Sequence, residues 1–386
     1  MKYEIEIPPN VWAEHVLPFL DRHSQNQLCS TSKELYESHL LQTTIAKWPF
    51  RTDLEVASFV STLAFSPEGN YLAIGDANTG GIQILNCVNG SRTRLQSVRQ
   101  NLGVNCLSFS QDNKTLASVR WDGRSIRLWN IQEAKEDSVL EGHSDTVWLV
   151  VFSPVDPTVL ASAGRDGSIR LWQTDESCIG VLQDESIDYQ VNAFDFSPDG
   201  RRLIAAVERS DHVGRLLIWN DLGEESTIET LVAPNGKMMH NHEGRCTSVR
   251  FSPDGHYFAT GSWDSTIRIW NATASNQLVF EGILRMRDEV HSIAFTPNGK
   301  ILAAGCCDRS VFFWKMETAT ETGVPLCVLS YFHTTSWCSI QFCKDSTLAT
   351  SGGTKADAIR LWNPLEHAWS MDENEGDFQE LIELWG

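Results

Sequence analysis

The sequence predicts an all-β fold assembled from seven copies of one strand-rich unit. Three observations predict it. Seven phenylalanines, Phe65, Phe109, Phe152, Phe196, Phe251, Phe295 and Phe342, recur at spacings of 44, 43, 44, 55, 44 and 47 residues, and a period of this length marks a repeat architecture. Within each unit apolar and polar residues alternate at period two, the pattern of a strand. Strings such as Ser197-Pro198-Asp199-Gly200 and Ser252-Pro253-Asp254-Gly255 place Pro, Asp and Gly where a tight turn between strands needs them.

Each unit runs in the same order. An apolar strand ends on the anchor Phe and a turn follows. A second apolar strand, rich in small residues, comes next. After another turn a third strand closes at Leu85, Trp129, Trp172, Trp219, Trp270, Trp314 or Trp362. One small sheet cannot bury both of its faces, whereas a ring of them can. The Phe and Trp residues at the strand ends supply the large apolar area between neighbours.

The Phe-Ser-Pro-Asp-Gly and Ile-Arg-Leu-Trp strings, at this repeat length, resemble the WD-repeat family across residues 58 to 363. The resemblance implies a seven-bladed β-propeller of four-stranded blades. It also implies a hydrogen-bonded tetrad in two copies, on His143, Ser162, Asp166 and Trp172 and on His242, Thr260, Asp264 and Trp270. A run from Trp N–H to hydroxyl to imidazole to carboxylate satisfies buried polar atoms and pins two loops together. Partial sets fall on Ser118 with Asp122 and Trp129, on Asp308 with Trp314, and on His333 with Thr350 and Trp362. The first and fourth copies lack the set, which predicts softer blades there. His, hydroxyl and Asp together suggest a catalytic triad, but the set repeats, includes a Trp and has no nucleophile elbow. Its role is expected to be structural.

The ring must close. Ala368 to Met371 lies six residues after Trp362, as Cys178 does after Trp172, and is expected to form the outer strand of the seventh blade. A strand donated from about residues 47 to 56 is the alternative.

Residues 1–50 do not fit the repeat and read as three helices. Pro8-Pro9 opens the first, with Val11, Trp12, Val16, Leu17 and Leu20 in register, because Pro fits a first helical turn. Ser24 can cap a second, and Ser30 or Thr31 a third. Ile7-Pro8, the stretch Val16 to Asp21, and Leu28 to Lys33 resemble the F-box. That resemblance implies that Pro8, Pro9, Val11, Trp12, Val16, Leu17 and Leu20 dock on the Skp-type adaptor of a cullin-RING (SCF-type) ubiquitin ligase. A small helical trio cannot bury all its apolar side chains, so its exposed face needs a partner. The alternative is a helical cap packed on the propeller itself.

The expected organisation is therefore an F-box-like segment at 1–50, the propeller at 51–371, and an acidic tail at 372–386. In that tail Phe378, Leu381, Ile382 and Trp385 form one helical stripe.

A ligand is expected on the face made by the loops joining the blades. On the repeat template the residue before each tetrad-type Asp points there: Trp121, Arg165, Trp263 and Cys307. The position three after the tetrad His adds Phe59, Gly103, Thr146, Gln190, Arg245, Glu289 and Ser336. Trp121, Arg165, Arg245 and Trp263 make an aromatic and basic cluster of the residue types that dominate binding hot spots. They are expected to read a target peptide, with an acidic or phosphorylated group paired to Arg.

Charge and composition exclude other classes. The 386 residues carry a net charge of -19, which repels a phosphate backbone or an anionic membrane surface. The longest apolar run, Val147 to Phe152, is far short of a membrane span. The N-terminus carries no signal-peptide pattern. Ten scattered cysteines without finger spacing read as reduced thiols of a cytosolic or nuclear protein. No phosphate-cradling glycine loop, metal-ligand spacing or nucleophile context appears, so no enzyme, cofactor or metal is expected. The sequence thus predicts a bridge: helices holding a ligase, propeller holding a target. A plain scaffold for another complex is the alternative.

Overall fold

The computed structural model describes residues 50–54, 59–95, 102–183, 190–208, 214–220, 222, 227–230, 242–273, 279–323, 325–329, 339–351 and 359–362. In chain order the strands begin with β1 (Phe50–Leu54). The first blade is β2 (Val60–Phe65), β3 (Tyr71–Asp76), β4 (Ile82–Asn86) and β5 (Arg92–Leu95). The second is β6 (Val104–Phe109), β7 (Thr115–Arg120), β8 (Ile126–Asn130) and β9 (Lys135–Leu140). The third is β10 (Val147–Phe152), β11 (Val159–Gly164), β12 (Ile169–Gln173) and β13 (Cys178–Leu182). The fourth is β14 (Gln190–Phe196), β15 (Leu203–Glu208), β16 (Gly214–Asn220) and β17 (Thr227–Thr230). The fifth is β18 (Cys246–Phe251), β19 (Tyr257–Ser262), β20 (Thr266–Asn271) and β21 (Val279–Arg285). The sixth is β22 (Val290–Phe295), β23 (Ile301–Cys306), β24 (Val311–Lys315) and β25 (Cys327–Leu329). The seventh contains β26 (Ser339–Phe342), β27 (Leu348–Ser351) and β28 (Ile359–Trp362).

Every sheet is an antiparallel meander of four strands. The inner strands β2, β6, β10, β14, β18, β22 and β26 each lie against the next, and β26 returns to β2. The product is a seven-bladed ring. Each anchor Phe is the last residue of an inner strand.

The core lies between blades rather than within them. One cluster joins Val119, Ile126 and Leu128 of the second blade to Val147, Phe152 and Trp172 of the third. Another joins Ile267 and Ile269 of the fifth to Val290, Leu302 and Trp314 of the sixth. Trp129, Trp172, Trp219 and Trp314 are among the largest fully buried side chains. Each such burial stabilises by about 2–3 kcal/mol relative to exposure, and each stitches one blade to its neighbour.

The turns between first and second strands repeat one geometry in every blade but the third, where the turn from Ser153 to Thr158 is longer. In the fourth blade Gly200 N–H donates to the carbonyl of Ser197 at 2.8 Å, and the amide of Arg202 donates to Ser197 Oγ at 2.8 Å. Gly200 has φ +70° and Gly255 +71°, a region costly for residues with a Cβ. Asn113 and Ser346 hold the same position in the second and seventh blades, at 61° and 64°.

Ring closure differs from the expectation. The outer strand of the seventh sheet is β1, paired antiparallel with β28, with Leu54 opposite Ile359 and Asp53 opposite Arg360. Ala368 to Met371 is displaced from that role and lies outside the described residues. The physical reason is register: an N-terminal strand that precedes the first inner strand has no sheet of its own and completes the last one.

A second departure is a helix, α1 (Met316–Thr322), between the third and outer strands of the sixth blade. It ends at Gly323, whose φ of 63° lets its N–H donate back to Ala319 O. Met316 and Ala319 are buried, and the helix packs on β21. The F-box-like segment, with Pro8, Pro9, Val11, Trp12, Val16, Leu17 and Leu20, lies outside the described residues, as does the stripe from Phe378 to Trp385. Among the described residues no helix is long and apolar enough to cross a membrane.

Candidate protein-docking face

The face is shaped first by a repeated backbone defect. The pairing of first and second strands slips after Val60, Val104, Val147, Val191, Cys246 and Val290. A bulge re-aims the extra residue, here Ser61, Asn105, Trp148, Asn192, Thr247 and His291. Four of these reach the next blade's backbone. Ser61 Oγ donates to Val104 O, and Asn105 Nδ2 donates to Trp148 O at 3.0 Å. Trp148 Nε1 donates to Val191 O, and Thr247 Oγ1 to Val290 O at 2.7 Å. Asn192 departs from the series. Its Nδ2 donates to Glu208 Oε2 at 2.7 Å, and its buried Oδ1 has no partner among the described residues.

Above the bulges lie the tetrad residues. In the third blade Trp172 Nε1 donates to Ser162 Oγ at 2.8 Å. Ser162 Oγ lies 2.7 Å from His143 Nε2, and His143 Nδ1 lies 2.8 Å from Asp166 Oδ2. In the fifth blade the same distances are 3.3 Å for Trp270 to Thr260, 2.8 Å for Thr260 to His242, and 2.9 Å for His242 to Asp264. Each carboxylate takes further donors that spacing alone did not reveal. Asp166 accepts from the Ser144 amide and from Ser168 N–H and Oγ. Asp264 accepts from the Glu243 amide and from Thr266 N–H and Oγ1. Burial alone would raise both carboxyls, but the hydrogen bond and charge of the facing His hold them well below the usual carboxylate range. Burial pushes His242 below its ordinary value, which suits a neutral ring donating through Nδ1 and accepting through Nε2.

The partial sets divide. Trp129 Nε1 donates to Ser118 Oγ at 2.8 Å, but Asp122 is exposed with φ 57° and takes no part. The indole N–H groups of Trp219 and Trp314 are unpaired among the described residues. Register explains both: the position of Ser162 is Ala205 in the fourth blade and Ala304 in the sixth. The sixth blade therefore shares the deficit expected of the fourth. His333 lies outside the described residues.

The rim residues pair through backbone. The amide of Trp121 donates to Gly103 O, Arg165 to Thr146 O, Trp263 to Arg245 O, and Cys307 to Glu289 O, at 2.8 to 3.0 Å. These bonds set both predicted rim positions of a blade side by side. Trp121 is 47% and Trp263 42% exposed. Arg245 Cζ lies 5.4 Å from the Trp263 ring centroid and 5.6 Å from that of Trp148. Its Nε is 3.8 Å from Glu208 Oε2. Arg165, whose side chain is 66% exposed, instead approaches Asp145 at 4.0 Å. The structure thus brings Arg245 and Trp263 together and leaves Trp121 and Arg165 on the second and third blades. Trp148 and Asn192 escaped the sequence reading because the bulge turns them out of simple alternation, and Glu208 because the end of β15 carries no repeated mark. A Trp one residue after the apolar start of an inner strand was the available signal.

Cys307 Sγ is 2.8 Å from His291 Nε2 and 3.6 Å from Glu289 Oε2. Burial, helped by Glu289 and Asp288, pushes its thiol up to about 12, which keeps it protonated and unreactive. Among the described residues no cluster suited to a metal ion is present.

Comparison with known proteins agrees with this geometry. The WD domain, G-beta repeat family matches residues 92–130, 135–173, 235–271 and 280–315. Small ribosomal subunit protein RACK1y of Oryza sativa subsp. japonica is 33% identical over 172 residues, 44% of this chain and 48% of that protein. Small ribosomal subunit protein RACK1 of Drosophila melanogaster is 31% identical over 179 residues, 45% of this chain and 52% of that protein. The match thus spans about half the length of these relatives. The crystal structure of the Myceliophteria thermophila Cps50 (Swd1) beta-propeller domain is similar in fold, with a TM-score of 0.65 at 19% identity, covering 81% of this chain and 99% of that one. With its recurring strings, its seven four-stranded sheets and these matches, the chain carries WD40 repeats and folds as a seven-bladed β-propeller.

Proposed function

We propose that this chain is a non-catalytic scaffold that holds a protein partner on the face carrying Trp121, Arg165, Arg245 and Trp263. The observation that carries the reading is the exposure of two indoles, Trp121 and Trp263, at equivalent turns of one face, where Trp129, Trp172, Trp219, Trp270 and Trp314 are buried. Trp and Arg anchors of this kind dominate protein interfaces. Arg165 is the rim cation open enough to meet a carboxylate or phosphate of the partner. The relatives named as small ribosomal subunit proteins are, by name, parts of a larger assembly, which supports a role inside a multiprotein complex. Trp121→Ala combined with Arg165→Glu is expected to remove partners that copurify with the native chain, read by mass spectrometry, without changing the melting temperature. An unchanged set of copurifying proteins places the docking surface elsewhere.

A second reading rests on the F-box-like string between Ile7 and Lys33. In it the chain is the substrate-recognition subunit of a cullin-RING ubiquitin ligase, with the adaptor on the N-terminal helices and the target on the propeller. Trp12→Ala with Leu17→Ala then loses adaptor and cullin from the purified complex. If the native chain brings down neither, the scaffold reading stands alone.

A further inference from the structure

Within the docking face, three blades converge on one acceptor-rich niche. Trp148 comes from β10, Asn192 and Glu208 from β14 and β15, and Trp263 follows β19. Two indole rings form the walls. The floor is the Glu208 carboxylate, only 5% exposed, and the buried Asn192 Oδ1, which has no donor among the described residues. Aromatic faces and carboxylate oxygens attract a cation, and a planar guanidinium suits both at once.

A cation already sits there, the chain's own Arg245, but it fits poorly. Its Cζ is 5.4 and 5.6 Å from the two ring centroids, within range of both. Its Nε stays 3.8 Å from Glu208 Oε2, beyond hydrogen-bond length. Among the described residues its guanidinium makes no hydrogen bond, and a third of the side chain faces solvent. The stem rises from the turn before β18, level with Trp263, so the group reaches down from the rim and stops short of the floor. The bulge ladder changes at this place: Asn192 donates to Glu208 where Ser61, Asn105, Trp148 and Thr247 donate to the next blade's carbonyl.

We propose that this niche is a receptor for an arginine side chain of the partner protein, and that Arg245 is a placeholder filling it in the free chain. An entering arginine comes from above the face, slides between the indoles and reaches both Glu208 and Asn192 Oδ1, while Arg245 swings out to the rim. The net charge of -19 draws a basic segment toward the face. The inference rests on the docking face of the scaffold reading and adds the chemistry of what docks.

The test is calorimetric titration of the full chain with two blocked tripeptides, N-acetyl-Ala-Arg-Ala-amide and N-acetyl-Ala-Glu-Ala-amide. A tethered side chain competes at millimolar effective concentration, so Arg245→Ser is expected to bind the arginine peptide about tenfold more tightly than the native chain. Glu208→Gln in that background is expected to remove the gain, and the glutamate peptide to show none. Arg245→Gln serves in the same way where Arg245→Ser melts early. No gain on removing Arg245, a gain that survives Glu208→Gln, or preference for the glutamate peptide overturns the proposal. The copurification test with Trp121 and Arg165 leaves the niche intact, so failure of the niche and failure of the docking face read out separately.

Discussion

The backbone amide of Phe65 donates to Oε1 of Gln341 at 3.0 Å, across 276 residues of sequence. The bond joins the inner strand of the first blade to that of the seventh. Its counterparts elsewhere are local in the ring: Phe152 N–H to Ser108 Oγ, and Phe251 N–H to Asp195 Oδ2, both at 2.9 Å. In each case the residue before one anchor Phe receives the amide of the next blade's anchor Phe, so one device both spaces the blades and shuts the ring.

Removing the acceptor at the seam leaves a part-buried amide unpaired. Gln341→Ala is expected to lower stability by about 1–2 kcal/mol, measured by urea denaturation. Gln341→Glu keeps an acceptor and should lose less. Equal losses for the two would show that side-chain volume, not the hydrogen bond, holds the seam.

The two kinds of tetrad Asp separate in a matched pair of substitutions. Asp264→Asn replaces one acceptor oxygen by a donor facing donors, and should cost about 1–3 kcal/mol. Asp122→Asn sits on an exposed left-handed turn that Asn tolerates, and should change stability by less than about 0.5 kcal/mol. Thermal melts of the two variants side by side check this.

Acid should unfold the ring in two stages. His242 is held below its ordinary value and Asp166 and Asp264 below theirs. A group with a depressed folded pKa binds its proton more readily when unfolded, so the stability it contributes is present above the unfolded pKa and lost as pH falls. The loss begins below about pH 6.5, the ordinary histidine value, and resumes below about pH 4, the ordinary carboxylate value. Asp195 runs the other way, since burial raises its carboxyl despite Arg250 nearby; its contribution is present below about pH 4 and is lost as pH rises through the raised value. Melting curves between pH 2 and 8 should therefore show a fall below about pH 4 that is shallower in Asp264→Asn, which has lost one of the depressed carboxyls. An identical slope in that variant removes the tetrad as its source.

The unpaired indoles offer gains rather than losses. Ala304→Ser and Ala205→Ser place a hydroxyl where Ser162 meets Trp172, opposite Trp314 and Trp219. Each is expected to raise stability by about 0.5–1 kcal/mol, read as a higher denaturation midpoint. A fall in both would mean that the cavity beside the indole does not admit an oxygen.

What the residues reveal in advance follows from how strongly each position repeats. The anchor Phe, the closing Trp and the His-hydroxyl-Asp spacing recur, so strands, blade number and tetrad partners are legible one after another. β1 has no such mark. Its Phe50-Arg-Thr-Asp-Leu54 run carries neither an anchor nor a closing Trp, and its only signal is phase. The family matches begin on an outer strand, as at Arg92, and end on the third strand of the next blade, as at Asn130; in that phase the first unit must lend its opening strand to the last sheet. Asp122 misled because composition at a turn does not reveal which residue takes the left-handed position, Asp122 here and Gly167 in the third blade. Trp148 and Glu208 stayed hidden because the niche is assembled from three blades, and period-two alternation within one strand says nothing of its neighbours.

Because the sheet that shuts the ring is shared by β1 and β26 to β28, the strand that precedes the first blade waits for the strands of the seventh. About 300 residues separate β1 from β28, roughly 15–60 s of translation at ordinary elongation speeds. Throughout that interval β1 has no partner strand for its amides and carbonyls, and the first six blades form an open arc. An unpaired strand edge is a template for pairing with other chains, so the last sheet is the one open to misassembly until β28 arrives.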